Sequence, residues 1–179
     1  MKPKIAIIMG SQSDFSIMEK TTNMLDEFEI PYSVNILSAH RTPNELDDHI
    51  NSINACDDCK VIIAGAGMSA ALSGHIASKT IKPVIGVPLS GSNLDGIDAL
   101  LSTLQMPPGI PVLGVGIDAA KNAALAAASI VALTDSDLSC LLKSFRHKQA
   151  VDVLLADEKL NDTTIERITP INLKYKCHF

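Results

Sequence analysis

Ser38-Ala39-His40-Arg41-Thr42-Pro43 sets an imidazole beside a guanidinium where a strand pattern ends and a helix pattern begins. An imidazole can take or give a proton near neutral pH, and a guanidinium can clamp a phosphate or a carboxylate. One short turn would then carry both a proton-transfer group and an anchor for an anion. Thr42, Pro43 and Glu45 also fit a plain helix start, with Thr42 as cap, Pro43 in the first helical position and Glu45 three residues after the cap. That reading accounts for those three residues and leaves His40 and Arg41 without a purpose.

Two more segments have types and spacings that suit a ligand. In Met9-Gly10-Ser11-Gln12-Ser13-Asp14, glycine lets the backbone approach closely and the following helix start offers free N–H groups to an anion. Ser11 and Ser13 can donate to phosphate oxygens. Asp14 would repel phosphate and is better suited to accept from sugar hydroxyls. Helix capping by Ser13 or Asp14 explains the same spacing equally well. The segment is neither a Walker loop nor a G-x-G-x-x-G fingerprint. The third segment, Gly65-Ala66-Gly67-Met68-Ser69-Ala70-Ala71-Leu72-Ser73-Gly74, is a run of small residues that would let a ligand lie on bare backbone. His75 follows on a helix and reads as exposed or packed. His49, His147 and His178 read as solvated. Pro107, Pro108 and Pro111 stiffen a fourth segment that can shape a pocket wall or a subunit contact, and a cis bond is open to any of them.

These segments need a frame that brings strand ends together. Short apolar runs at Lys4 to Met9, Tyr32 to Leu37, Lys60 to Ala64, Val84 to Val87 and Val112 to Val115 predict strands. Helical patterns fall over Phe15 to Phe28, Thr42 to Ala55, Ala70 to Lys79, Asp95 to Leu104, Ala119 to Ala132 and Asp137 to Ala156. Strand and helix alternate, which predicts a parallel sheet covered on both faces. Ligands of such sheets bind at the carboxyl ends of the strands, where all three suggestive loops fall. Residues 1–156 are expected to form a single domain, and 157–179 a tail packed on the domain or on a neighbouring subunit.

The 179 residues, 46% of them apolar, suffice for one domain with a real core. A net charge of -5 without a block of Lys or Arg speaks against nucleic acid and against an anionic membrane. The apolar stretch near the start is too short for a signal peptide or a spanning helix, so a cytoplasmic protein is expected. Cys56 and Cys59 form a single C-x-x-C before a strand, which reads as ordinary loop cysteines rather than a zinc or redox site.

The ordered set closely resembles the PurE family of purine biosynthesis. The matching stretches are Met9-Gly10-Ser11-x-Ser13-Asp14, Ser38 to Pro43, Gly65-Ala66-Gly67, Gly86-Val87-Pro88, Gln105 to Val112 and Lys121-Asn122-Ala123-Ala124. The resemblance implies a three-layer αβα, flavodoxin-like domain, a homo-octamer with pockets between subunits, an imidazole ribonucleotide as substrate, and no metal or other cofactor. It assigns Ser11, Ser13 and Asp14 to the ribose 5-phosphate, and Ser38 and Arg41 to further phosphate contacts with Ala39 beside them. It makes His40 the group that handles the proton at imidazole C4. The backbone of Gly65, Ala66, Gly67, Met68, Ala71 and Leu72 would cradle a carboxylate or carbon dioxide.

The third segment departs from the usual mutase pattern, Ala-His-Leu-Pro-Gly, by carrying Ala71 and Ser73 in place of His and Pro. Leu72-Ser73-Gly74 is similar to the branch that carboxylates directly with carbon dioxide, although that branch usually has Lys where this chain has Arg41. The proline segment and Ile117 to Ala124 favour the mutase branch. The mutase is therefore the first reading and the direct carboxylase the alternative. A nucleotide-binding module without chemistry is the rival from another class.

Overall fold

In the computed structural model, which describes residues 2–91 and 93–161, the first unit, Met1–Leu141, is built on a five-stranded parallel sheet. Strands β1 (Ile5–Met9), β3 (Val61–Gly67) and β4 (Val84–Leu89) are the continuous apolar runs, buried along almost their whole length. Strand β2 (Tyr32–Ile36) and the two-residue β5 (Leu113–Gly114) are the edges and are more exposed. The order is β2-β1-β3-β4-β5. Ile7 lies between Val34 and Ile63 in register, so successive strands are added to one side of β1 and then, from β3 on, to the other. This is the flavodoxin-like order, and its switch point is the gap between β1 and β3.

Helices cover both faces. Helices α1 (Phe15–Glu27) and α5 (Ala120–Val131) pack against each other on one side. Ala120, Ala123, Ala124, Ala127 and Ala128 are fully buried, and their small side chains let α5 approach closely. The Thr21 hydroxyl donates to the Ala120 carbonyl at 2.9 Å across that contact. The opposite core joins Ala6, Ile8, Ile62 and Ala64 of the sheet to Leu46 and Ile50 of α2 (Pro43–Asn54) and to Leu72 and Ile76 of α3 (Ala71–Ala77). Helix α4 (Ile97–Leu104) packs on β4 and α3.

Several boundaries differ from the sequence reading. Helix α4 starts at Ile97 rather than Asp95, because Asp95 and Gly96 both hold left-handed backbone, φ 49° and 86°. Strand β5 is two residues rather than four and follows Pro111, which has no N–H to donate. Helix α6 runs Ser136–Asn161 and starts one residue earlier than expected, since the Asp135 carboxylate accepts from the Leu138 N–H at 3.0 Å and caps it. No peptide bond among the described residues is cis, so the prolines of the fourth segment are all trans. The second unit spans Leu142–Phe179, of which the structure describes the helical part to Asn161. The expected tail from 162 onward, with Cys177 and His178, lies outside the described residues. No helix among the described residues is long and apolar enough to cross a membrane.

Candidate active site

The carboxyl ends of β2, β1, β3 and β4 surround a cavity of about 770 Å³. Ser11, Ser13 and Asp14 line it from the loop after β1, and Ser38, Ala39, His40 and Arg41 from the loop after β2. Ala66, Gly67, Met68, Ala71 and Leu72 line it from β3 and α3. Of the residues that the family resemblance assigns to the ligand, only Gly65 is absent from the wall. A Cβ on Gly65 would stand 2.6 Å from the Met18 sulfur, so this glycine makes room for α1 beneath the sheet. The small-residue cradle starts at Ala66.

Arg41 ties the first two loops together. Its guanidinium donates to the Gly10 carbonyl at 2.8 Å, and its backbone N–H and Nε donate to the Ser38 hydroxyl at 3.2 and 3.4 Å. The Thr42 hydroxyl does not cap α2. It accepts from the Ser38 N–H at 2.8 Å and donates to the Ser38 carbonyl at 3.2 Å, closing the turn that presents His40. His40 is exposed on that turn, with no hydrogen-bond partner for its ring among the described residues.

In the first loop the capping group is Ser11, not Ser13 or Asp14. Ser11 Oγ accepts from the Ser13 N–H at 3.4 Å and from the Ser13 hydroxyl at 3.0 Å, at the head of a 3-10 turn over Gln12–Asp14. The Asp14 side chain caps nothing. Burial pushes its carboxyl above the ordinary carboxylate range, against the opposing pull of the Ser11 backbone, the Ser13 hydroxyl, the Gly10 backbone and the Arg41 charge. Met68 holds a left-handed backbone, φ 56°, at the β3 end, where the residue is 66% exposed.

The cavity also has a wall the sequence reading did not name. Ser16 and Ile17 of α1 and Ser90 with Gly91 after β4 complete it, beside Ser69 of the third segment. Ser90 and Gly91 follow a predicted strand, so the rule that ligands gather at carboxyl edges was the available signal.

A family model described as "AIRC: AIR carboxylase" matches residues 4–152. The chain belongs to the AIR carboxylase family. A protein of Methanocaldococcus jannaschii named N5-carboxyaminoimidazole ribonucleotide mutase is 48% identical over 158 residues, which cover 88% of this chain and 98% of that protein. A Saccharomyces cerevisiae protein named phosphoribosylaminoimidazole carboxylase is 43% identical over 166 residues, 93% of this chain but 29% of the longer yeast protein. The crystal structure of Treponema denticola PurE matches with a TM-score of 0.82 at 35% identity, covering 89% of this chain and 99% of that one.

Not every AIR carboxylase motif falls at the cavity. Gly86-Val87-Pro88 is interior to β4, and Ala123 and Ala124 are buried in α5. Gly109, Ile110 and Pro111 line a separate cavity of about 1140 Å³ together with Lys60, Lys82 and Pro83, residues that precede the strands and so lie at the opposite sheet edge. His75 is also off the site. Its Nε2 lies 2.7 Å from Asp47 Oδ1, and Lys79 reaches the other oxygen at 3.0 Å. The hydrogen bonds from His75 and Lys79 hold the Asp47 carboxyl below its ordinary range. His49 is not solvated as its type suggested. Its Nε2 is buried without a partner, and burial lowers its proton affinity. His147 is exposed, as expected.

Proposed function

We propose that the chain is an N5-carboxyaminoimidazole ribonucleotide mutase of purine biosynthesis, which moves the carboxyl group from N5 to imidazole C4 and yields 4-carboxy-5-aminoimidazole ribonucleotide. The observation that carries the reading is the joining of the His40 turn to the Gly10–Asp14 loop through Arg41, on one cavity of ribonucleotide size. The names and extent of the relatives support the same chemistry.

Ser11 and Ser13, with Ser38 and Arg41, bind the 5-phosphate by charge-assisted hydrogen bonds, and Asp14 accepts from the ribose hydroxyls. The N5-carboxylate leaves as carbon dioxide while His40, as general acid, gives N5 a proton to form the neutral aminoimidazole. The exocyclic amine pushes electrons into the ring, so C4 is nucleophilic. C4 attacks carbon dioxide held against Ala66, Gly67 and Ala71, and His40 removes the C4 proton, which restores aromaticity. Holding the gas beside the ring turns recapture into a local event. The enzyme works in the cytoplasm as a homo-octamer.

Ala71 favours a second reading. It lines the cavity with a methyl group where a proton-carrying side chain would serve a mutase, so direct carboxylation of aminoimidazole ribonucleotide is the alternative. Turnover of N5-carboxyaminoimidazole ribonucleotide in isotope-labelled bicarbonate separates them. Product that retains the unlabelled carboxyl supports the mutase, whereas label at C4 replaces it with the carboxylase. Absence of any C4-carboxylated product, from that substrate or from aminoimidazole ribonucleotide with bicarbonate, would reduce the site to a nucleotide-binding module.

A further inference from the structure

Ser90 and Gly91 close the cavity three strand spacings, about 14 Å, from the β2 end that carries Ser38 and Arg41. One side chain from the next loop holds Ser90 in place. The Ser90 N–H donates to Asp118 Oδ1 at 2.8 Å, and the Ser90 hydroxyl donates to Oδ2 at 2.6 Å. Asp118 is itself fixed in a left-handed backbone conformation, φ 56°, with its N–H donating to the Pro88 carbonyl at 2.9 Å. Gly96 backs the clamp from behind. A Cβ there would meet Ile117 Cγ2 at 2.8 Å and the Ser90 Cα at 3.3 Å. Asp118 does not line the cavity, so whatever it does for a ligand it does through Ser90.

The clamp sets polarity as well as position. A carboxylate can only accept, and a serine hydroxyl has one proton to give. With that proton committed to Asp118, the Ser90 oxygen has only lone pairs for a ligand, so the group it meets must be a donor. With the phosphate anchored near Ser11 and Arg41, the ligand's heterocycle extends toward the β4 end. In the substrate proposed above, that heterocycle carries an exocyclic amine.

We infer that Asp118 is a positioning residue that locks Ser90 as the hydrogen-bond acceptor for the substrate's exocyclic amine. The inference rests on the proposed function. An acceptor on the amine also draws its N–H outward and leaves more nitrogen electron density for the ring, which favours attack from C4.

Calorimetry on the full chain tests it, using aminoimidazole ribonucleotide and the same nucleotide without the amine. The parent protein is expected to bind the amino compound about tenfold more tightly, the scale of one hydrogen bond. Ser90→Ala removes the acceptor and should erase that preference while leaving affinity for the amine-free compound unchanged. Asp118→Asn should do the same, because its amide now donates to the Ser90 oxygen and releases the hydroxyl proton toward the cavity. Asp118→Glu keeps a carboxylate and should recover part of the preference. Equal affinity of the parent for both nucleotides overturns the inference. So does an Asp118→Asn protein that weakens both ligands by the same factor, since that is the mark of a merely structural residue. A parent that discriminates between the two yet forms no C4-carboxylated product would overturn the proposed function and leave the clamp standing.

Discussion

His40 and Asp14 ask opposite things of their surroundings. His40 stays exposed on a turn held by Ser38, Thr42 and Arg41, so its removal should cost chemistry rather than structure. His40→Asn is expected to melt like the parent and keep its KM, while kcat falls about 10²–10⁴-fold, as for loss of a general acid-base group. Asp14 is buried enough to have its carboxyl raised. A raised acid opposes folding while it is ionised, and the penalty fades as pH falls through its folded value. Asp14→Asn should therefore melt higher at neutral pH, with the gap to the parent closing under acid, while kcat/KM drops about tenfold because the neutral amide oxygen is a weaker acceptor for the sugar hydroxyls than a carboxylate. His49 has the opposite sign. Its folded proton affinity is lowered, so the unfolded chain binds the extra proton and stability falls as pH drops below about 6.5. Melting curves from pH 8 to 5 should show that loss in the parent and less of it in His49→Leu. The His40 turn was legible because its parts are adjacent in the chain. His49 was not, because its burial depends on the packing of the α2 face it shares with Leu46 and Ile53. The Ser90–Asp118 clamp spans 28 positions and leaves no local trace.

Glycines mark where the layers come closest. Gly86 on β4 faces Thr103 of α4, where an added Cβ would collide with Cγ2 and would also stand 3.1 Å from Val112 Cγ1 and 3.3 Å from Ser73 Cβ. Gly86→Ala should lose about 2–3 kcal/mol in denaturant unfolding, since a β-branched neighbour cannot swing away. Gly65→Ala meets the flexible end of Met18 and should lose about 1 kcal/mol. Near-equal losses would mean that α4 yields as easily as a methionine. The buried strands and the alternation of strand with helix were readable from apolar runs, because a parallel sheet buries both faces. The start of α4 was not, since Asp95 continues the helical pattern by residue type and only its left-handed backbone, φ 49°, takes it out of the helix. Nor was β5, an edge with two paired residues.

Taken whole, the first unit leaves apolar surface uncovered. Ile97, Leu101 and Leu104 of α4 and Leu113 of β5 are each about half exposed. In the proposed octamer this face is buried between copies. Light scattering should give eight times the 19.0 kDa chain mass for the parent and a smaller species for Leu101→Glu. A monomeric parent would count against the octamer. Composition made a covered α/β sheet legible, but assembly entered only through family resemblance, because exposure of a leucine depends on what its helix fails to cover. The pairing of α1 with α5 has a further consequence, for synthesis. Thr21 reaches the Ala120 carbonyl 99 positions on, and Lys4 meets Asp135 at 2.8 Å, 131 positions on. At ribosomal rates the roughly 100 residues between α1 and α5 take roughly 5 to 20 s to make. Through that interval the face of α1 that carries Thr21 lacks its covering helix, so a nascent chain stalled before Ala120 should be the form most dependent on a chaperone.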